Sequence, residues 1–183
     1  ITQDGGKAGD RLILTRPLGS GIILAAEMQG AARGRDVAAL LDVMQAPQGR
    51  AAAILRGAAT AMTDVTGFGF AGHLGAMAKG AGLSALIYLE NLPIFAGVQD
   101  LVRAGHGSAL AKSNRAAAPV AGLAEGDWRS AVLHDPQTAG GLLAAIPAQK
   151  AQEILAALAK EGIEAWEVGE FEAGPEGGMA VRA

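Results

Sequence analysis

Cysteine is absent from this chain of 183 residues. Its absence excludes a disulfide framework, a cysteine-ligated zinc or iron–sulfur site and a thiol nucleophile within the sequence. It also fits the reducing environment of the cytoplasm, which is the location we predict. Aromatic residues are scarce too, at 4%, although half of all residues are hydrophobic. Leu, Ile and Val must therefore supply most of the bulk of a core between closely packed elements.

The chain carries little excess charge and no long hydrophobic run. It has 15 Lys and Arg residues against 18 Asp and Glu, for a formal net charge of −3. Nucleic-acid-binding domains are strongly basic, so we predict no nucleic-acid partner. The longest apolar run, residues 140–147, falls well short of the roughly 18 residues that a membrane span needs, so we predict no membrane partner. The length itself fits one domain.

Hydrophobic patterns punctuated by Gly and Pro predict one α+β domain in which helices and strands are interleaved. Ser20 is a candidate N-cap of the first helix, and Pro147 is a candidate first helical residue. Residues 106–131 give weak signals and are predicted as a long loop with one short helix. Strands are predicted at 11–15, 62–65, 83–89, 142–146, 163–171 and 178–181. Helices are predicted at 22–28, from about 36 to 46, and at 48–61, 69–78, 94–104 and 147–161.

The segment 63–69 is the first candidate for chemistry. Asp64 lies at the end of a predicted strand, and Gly67 and Gly69 lie at the start of a predicted helix. Glycine lets backbone N–H groups approach a ligand, and a helix N-terminus favours anions. One interpretation is a magnesium–phosphate site with Asp64 as metal ligand, since Mg²⁺ takes carboxylate and phosphate oxygens together. The other is that Asp64 caps the helix and the glycines permit tight packing.

The segment 135–141 is the second candidate. It contains an Asp-Pro pair, the hydroxyl of Thr138, and two adjacent glycines, Gly140 and Gly141, just before a buried strand. One interpretation is a loop that lines the same nucleotide cleft. The other is an Asp-Pro turn whose glycines let two backbones approach closely.

Three histidines are scattered along the chain without the spacing of a zinc site. We interpret His73 as a packing or capping residue rather than a catalytic base. His106 and His134 are predicted to lie in loops, at the surface or in hydrogen bonds. The segment 112–115 brings together two cations and an amide that could contact phosphate, although a solvated loop is the simpler interpretation.

Three runs, 9–21, 61–74 and 135–143, occur together in an order that identifies a family. The chain resembles the C-terminal domain of the selenophosphate synthetase (selenide, water dikinase) family, within the aminoimidazole ribonucleotide synthetase-like superfamily. The resemblance implies an α+β domain with helices packed on a mixed sheet. It also implies that residues 1–183 are the C-terminal domain of a larger protein, whose ATP-binding and catalytic N-terminal domain lies outside this chain.

Family members make selenophosphate, AMP and phosphate from ATP, selenide and water. The resemblance therefore implies that Asp64 is a Mg²⁺ ligand at an ATP site between two domains. It places no catalytic residue in this chain, which we expect to be inactive alone. The partners implied are the protein's own N-terminal domain, small-molecule substrates and a second copy in a homodimer. The residues expected near the metal and nucleotide are Thr66, Gly67, Gly69, Thr138, Gly140 and Gly141.

Two positions depart from the family pattern. Ala139 stands where serine is frequent, which removes a hydroxyl, and Phe70 stands where leucine is frequent, which we interpret as a packing change. Two other functions stay open at this point. One is a sister enzyme of the superfamily, either a purine-biosynthesis synthetase or a hydrogenase-maturation protein. The other is a non-catalytic interaction module that has kept the fold.

Overall fold

The computed structural model describes residues 1–182 as an α+β domain built on one six-stranded sheet with helices on both faces. Within these residues, no helix combines the length and the apolar character needed to cross a bilayer. The strands are β1 (Arg11–Leu14), β2 (Ala61–Asp64), β3 (Ser84–Tyr88), β4 (Leu142–Ile146), β5 (Trp166–Glu172) and β6 (Met179–Arg182). The α-helices are α1 (Ser20–Met28), α2 (Gly34–Gln45), α3 (Gly49–Arg56), α4 (Gly69–Ala81), α5 (Val98–Arg103), α6 (Ala111–Ala117), α7 (Arg129–Leu133) and α8 (Ala148–Lys160).

The strand order is β2-β4-β1-β5-β3-β6, and the sheet is mixed. β3 and β6 pair in parallel, whereas the other four neighbouring pairs are antiparallel. This confirms the mixed α+β sheet that the resemblance implies.

The core has two parts because the central strands are covered on both faces. Along β1, Leu12 faces the larger cluster, which includes Phe70 of α4. The next residue, Ile13, faces the opposite cluster with Leu55 of α3 and Leu158 of α8. All five side chains are fully buried. This alternation is the period-two pattern of a strand buried on both sides.

Two helix starts differ from the sequence predictions. The prediction that Ser20 caps α1 is wrong, because Gly19 precedes the helix and Ser20 is its first residue. Gly19 has a φ of 107°, a left-handed conformation that glycine adopts without steric cost. Pro147 comes just before α8 rather than inside it, a difference of one residue.

Two longer segments also differ. The predicted helix 48–61 is too long, since α3 ends at Arg56 and Ala61 instead pairs with Ala145 of β4. Pairing with the sheet outweighs the helical preference of this Ala-rich stretch. Residues 106–131 contain α6 and the start of α7 rather than one short helix in a long loop.

At one end of the sheet, four neighbouring strands begin or end side by side, and we refer to this end as the sheet edge. Because β4 runs antiparallel to both of its neighbours, β1 and β2 end where β4 begins, and β5 begins there as well. The register pairs Asp64 with Leu142, and it pairs Leu14 with both Leu143 and Trp166. The segments 63–69 and 135–141 therefore meet at this edge.

Two phenylalanines two positions apart test the division between core and surface. Phe70 is fully buried, whereas Phe68 is 70% exposed. We expect Phe70→Ala to lower the free energy of unfolding by about 3–5 kcal/mol, because it removes a large side chain and leaves a cavity. The matched variant Phe68→Ala should change it by less than about 0.5 kcal/mol. Urea unfolding measures both, and equal losses would contradict the core that we describe.

Candidate functional site

Asp64, the last residue of β2, presents an exposed carboxylate at the sheet edge. The interpretation that Asp64 caps the next helix is wrong. Phe68 is the residue that precedes α4, and no side chain caps that helix. Within residues 1–182, no basic nitrogen lies within 4.0 Å of the Asp64 carboxylate in an ion pair. The carboxylate is thus open to a ligand.

His73 fixes the loop that follows Asp64. The Thr66 backbone N–H donates to His73 Nε2 over 3.0 Å, and Thr66 Oγ1 lies 3.1 Å from the same nitrogen. Since Nε2 accepts this hydrogen bond, a neutral imidazole carries its proton on Nδ1. Burial lowers the pKa of His73, and the nearby Asp64 charge opposes that shift. The contacts agree with the packing or capping role predicted for His73.

The two glycines of this loop differ in their surroundings. Gly69 has a φ of 73°, and a Cβ there would lie 2.8 Å from the backbone carbon of His134. It therefore permits a close approach between the two motif segments. Gly67 is exposed, and a Cβ there would meet no atom within 4 Å. Only Gly67 of this pair leaves space beside its backbone for a ligand.

Asn114 ties the two motif segments to α6. Its Nδ2 donates to the carbonyl oxygens of Gly67 and His134, each at 3.0 Å. The side chain is 8% exposed. The sequence prediction placed Asn114, with two neighbouring cations, in a segment whose simpler interpretation is a solvated loop. The contacts of Asn114 were missed because an amide on a short helix gives no sequence signal of a distant partner.

Asp135 anchors the second segment to the start of α1. The residue is fully buried, and its Oδ2 accepts hydrogen bonds from the N–H groups of Gly21 and Ile22 at 2.9 and 3.1 Å. Gln137 Nε2 donates to the same oxygen at 3.0 Å. Oδ1 has no hydrogen-bond partner within residues 1–182. Burial raises the pKa of Asp135 to about 7, and the three N–H donors only partly offset this.

Gln137 and Ser20 complete this anchor. Gln137 Oε1 accepts from the Gly19 and Ser20 N–H groups and from the Ser20 hydroxyl. Ser20 Oγ in turn accepts from the Thr138 N–H at 2.8 Å. The hydroxyl of Ser20 therefore holds a distant loop instead of capping its own helix. Thr138 and Ala139 remain exposed at the edge, and Ala139 has a left-handed φ of 49°.

Gly140 and Gly141 are buried against main chain. A Cβ at Gly140 would lie 2.1 Å from the Val65 carbonyl oxygen, and one at Gly141 would lie 2.6 Å from the Arg16 nitrogen. Close backbone packing explains both glycines. Their contact with a nucleotide stays a prediction.

Among the described residues, the Asp64 carboxylate could contribute to a magnesium site but could not form one alone. Residues 1–182 hold no group of three or more His, Asp or Glu side chains that could bind a metal ion together. Mg²⁺ commonly takes one or two carboxylates, with phosphate oxygens and water as its other ligands. A single open carboxylate beside a helix N-terminus fits that partial role, and the remaining ligands would come from the nucleotide and from outside this chain.

Residues 7–182 match the family described as AIR synthase related protein, C-terminal domain. The chain belongs to this family. Its curated relatives include selenide, water dikinase of Myxococcus xanthus (strain DK1622), which is 39% identical over 186 residues covering 97% of this chain and 52% of that protein. The enzyme of the same name from Pasteurella multocida (strain Pm70) is 37% identical over 164 residues, covering 88% of this chain and 46% of that protein. The chain thus spans about half the length of these relatives, and the predicted resemblance is confirmed.

Solved structures share the fold of this AIR synthase related domain. Thiamine-monophosphate kinase from Stenotrophomonas maltophilia K279a superposes with a TM-score of 0.71 at 18% identity, covering 98% of this chain and 52% of that one. The hydrogenase maturation protein HypE in complex with ATP superposes with a TM-score of 0.57 at 16% identity, covering 97% of this chain and 46% of that one. At such low identity these likenesses establish the fold alone.

The contrast between Gly140 and Gly67 allows a test of how closely the two motif segments pack. Gly140→Ala should lower the free energy of unfolding by about 1–3 kcal/mol, because the new Cβ collides with the Val65 carbonyl. Gly67→Ala should change it by less than about 0.5 kcal/mol, because the space beside Gly67 is open. Thermal or urea unfolding measures both. If Gly140→Ala were tolerated as well as Gly67→Ala, the close packing of the two segments would be refuted.

The buried carboxylate of Asp135 predicts how the stability of this AIR synthase related domain depends on pH. Between about pH 4 and 7 the folded state keeps a proton that the unfolded state has released, since the folded pKa is about 7 and the ordinary value is 3.8. Stability should therefore fall as pH rises through this window, by at most about 1.4 kcal/mol per pH unit from this group.

Asp135→Asn should remove that contribution to the slope. Asparagine keeps an oxygen that can accept from the start of α1 but does not titrate. The measurement is urea unfolding from pH 5 to 7, expressed as the difference between wild type and variant. Asp42→Asn, an exposed acid on α2, is the control for loss of one carboxylate. A pH-independent difference between wild type and Asp135→Asn would contradict the prediction.

Proposed function

We propose that this chain is the C-terminal domain of a selenophosphate synthetase and that it supplies one carboxylate to a Mg–ATP site completed by an N-terminal domain. The reaction of the whole protein would convert ATP, selenide and water to selenophosphate, AMP and phosphate. The observation that carries the proposal is the exposed Asp64 carboxylate at the open sheet edge. It stands in a chain whose curated relatives are named selenide, water dikinase.

The chemistry explains why one exposed carboxylate matters. Phosphoryl transfer depends mainly on positioning and on neutralising phosphate charge, with little covalent participation by protein groups. A bound Mg²⁺ would neutralise phosphate charge there. Asp64 would hold the metal on the side of this domain, and the Thr66–His73 hydrogen bond would keep the adjoining loop in place. The start of α4 would add a favourable field for phosphate, because a helix N-terminus carries partial positive charge.

The second segment would form the neighbouring wall. Thr138 is exposed, so its hydroxyl is available to a ligand at this edge. Its backbone is held by Ser20, which lets the loop keep its position without help from the ligand. The missing hydroxyl at Ala139 removes one polar contact that relatives with serine could make.

The use of ATP has independent support from a protein of the same fold. HypE has been crystallised in complex with ATP. The support for Mg²⁺ comes from the donor set at Asp64. Homodimer formation and a cytoplasmic location are parts of the proposal that rest on the family resemblance.

The first experiment is Asp64→Asn in the full-length protein. The substitution removes the negative charge that would hold the metal but keeps the size of the side chain. We expect Mg-dependent ATP hydrolysis to fall by at least about a hundredfold, since metal-bound charge stabilisation is worth several kcal/mol in such reactions. Glu153→Gln, an exposed acid on α8, is the matched control and should keep full activity. Near-normal hydrolysis by Asp64→Asn would remove this residue from the mechanism.

The products distinguish the proposed enzyme from its sister enzymes. The full-length protein should form AMP from ATP only when selenide is present. Formation of ADP instead would point to a sister synthetase of the same superfamily. Failure of the full-length protein to bind nucleotide would favour an interaction module that has kept the fold.

A further inference from the structure

A cavity of about 380 Å³ lies at the same sheet edge, beside the end of β1 and the start of β5. It is bounded by the end of β1, by the connection between α2 and α3 and by the residues that lead into β5. Its walls are largely apolar. The residues that matter for its chemistry are Arg16, Pro47, Gln48, Glu164 and Trp166.

Arg16 is the one buried arginine or lysine within residues 1–182, with 7% of its surface exposed. Its guanidinium donates to the carbonyl oxygens of Ala139, at 2.6 Å, and Ala46. Both acceptors are neutral. Within the same residues, no carboxylate oxygen lies within 4.0 Å of its guanidinium nitrogens, whereas Arg11 and Arg129 each pair with acids.

The Arg16 cation is therefore hydrogen-bonded but not neutralised. Burial lowers the pKa of the guanidinium, which shows the direction of the desolvation cost. A buried charge is costly unless an opposite charge or a ligand compensates it. Two carbonyl bonds occupy two of the five N–H donors that a guanidinium carries.

We infer that this cavity is a binding site for a small oxyanion of the phosphate class, recognised by Arg16. Guanidinium groups match the geometry of phosphate oxygens, and the apolar wall formed by Pro47 and Trp166 would strengthen the attraction by excluding water. Glu164, exposed and also lining the cavity, would oppose the anion and keep the affinity moderate. Neither Asp64 nor any other residue of the proposed magnesium–nucleotide site lines this cavity, so this inference does not rest on the proposed function.

Arg16 also has a structural role, because its two acceptors join the α2–α3 connection to the 138–141 loop. Gln48 reinforces this connection by donating to the Gly140 carbonyl at 2.9 Å. A purely structural Arg16 would not make the chain respond to phosphate. The experiment therefore measures binding and stability separately.

The chain contains two tryptophans, which provide an internal control. Trp166 lines the Arg16 cavity, whereas Trp128 lines a different one. Inorganic phosphate, titrated at constant ionic strength against chloride, should shift the indole N–H signal of Trp166 with saturation and leave that of Trp128 in place. It should also raise the midpoint of thermal unfolding. AMP, titrated in parallel, shows whether a free phosphate or the phosphoryl group of a nucleotide binds more tightly.

Three substitutions then test the role of charge. Arg16→Gln removes the charge but keeps donors for the two carbonyls, and it should weaken phosphate binding by about tenfold or more. Glu164→Gln should strengthen binding by about two- to fivefold, because an exposed repulsive charge is lost. Arg103→Gln, an exposed arginine on α5 away from the cavity, should leave the affinity unchanged.

The inference is overturned if neither wild type nor Glu164→Gln shows a saturable response of Trp166. It is also overturned if Arg16→Gln binds phosphate as well as wild type, or if Arg103→Gln weakens binding equally. Should Arg16→Gln fail to fold, the response of wild type and the tightening by Glu164→Gln decide the question, since Glu164 is exposed and its replacement spares the core.

Discussion

The carboxylate of Asp135 at the start of α1 is the interaction on which the candidate site depends. It satisfies two backbone N–H groups that the helix cannot satisfy internally, and it does so from more than a hundred positions along the chain. Gln137 and Ser20 extend this contact into a buried network that also fixes Thr138. Without it, the loop before β4 would lose part of its attachment to the start of α1. The polar groups of that loop, and not its hydrophobic content, determine where it lies.

Asp64 depends on this arrangement indirectly. The 135–141 loop packs against the 63–69 loop through Gly69 and Gly140, both of which approach main chain too closely for any side chain. Asn114 then joins the two loops to α6. Asp64 ends a strand that pairs with β4, and the loop that follows it is held by the 135–141 loop, by α4 and by α6.

Much of the architecture could be predicted because local patterns report on local structure. The strands at 11–15 and 142–146 follow from short apolar runs bounded by Gly and Pro. The helix predicted at 69–78 is also present, but it continues to Ala81, because Gly80 stays helical and only Gly82 adopts the left-handed conformation of a helix C-terminus. The position of Asp64 at a strand end also followed from its neighbours. The meeting of the two motif segments was expected from the family pattern, and the strand register explains it.

The remainder could not be predicted, because its causes lie far away in sequence. Nothing near Ser20 reveals that its hydroxyl holds Thr138, and nothing near Asp135 reveals that it caps α1. The role of each glycine was equally hidden, since Gly67 faces open space whereas Gly140 faces a carbonyl that belongs to a distant segment. From the sequence alone, both glycines were predicted to lie near the metal and nucleotide. Hydrogen bonds that span more than a hundred residues leave no periodic trace in the sequence.

Gly69, Gly140 and Gly141 are buried against neighbouring main chain at this edge, and this limits how the protein can diversify. A side chain at any of these three positions would collide with neighbouring main chain instead of presenting a new functional group. A change in ligand preference must therefore enter through the few side chains that reach solvent there, such as Asp64, Phe68 and Thr138, or through the surface of whatever faces them. In the proposed enzyme, the ligand preference of the site would then depend largely on the surface that faces this domain.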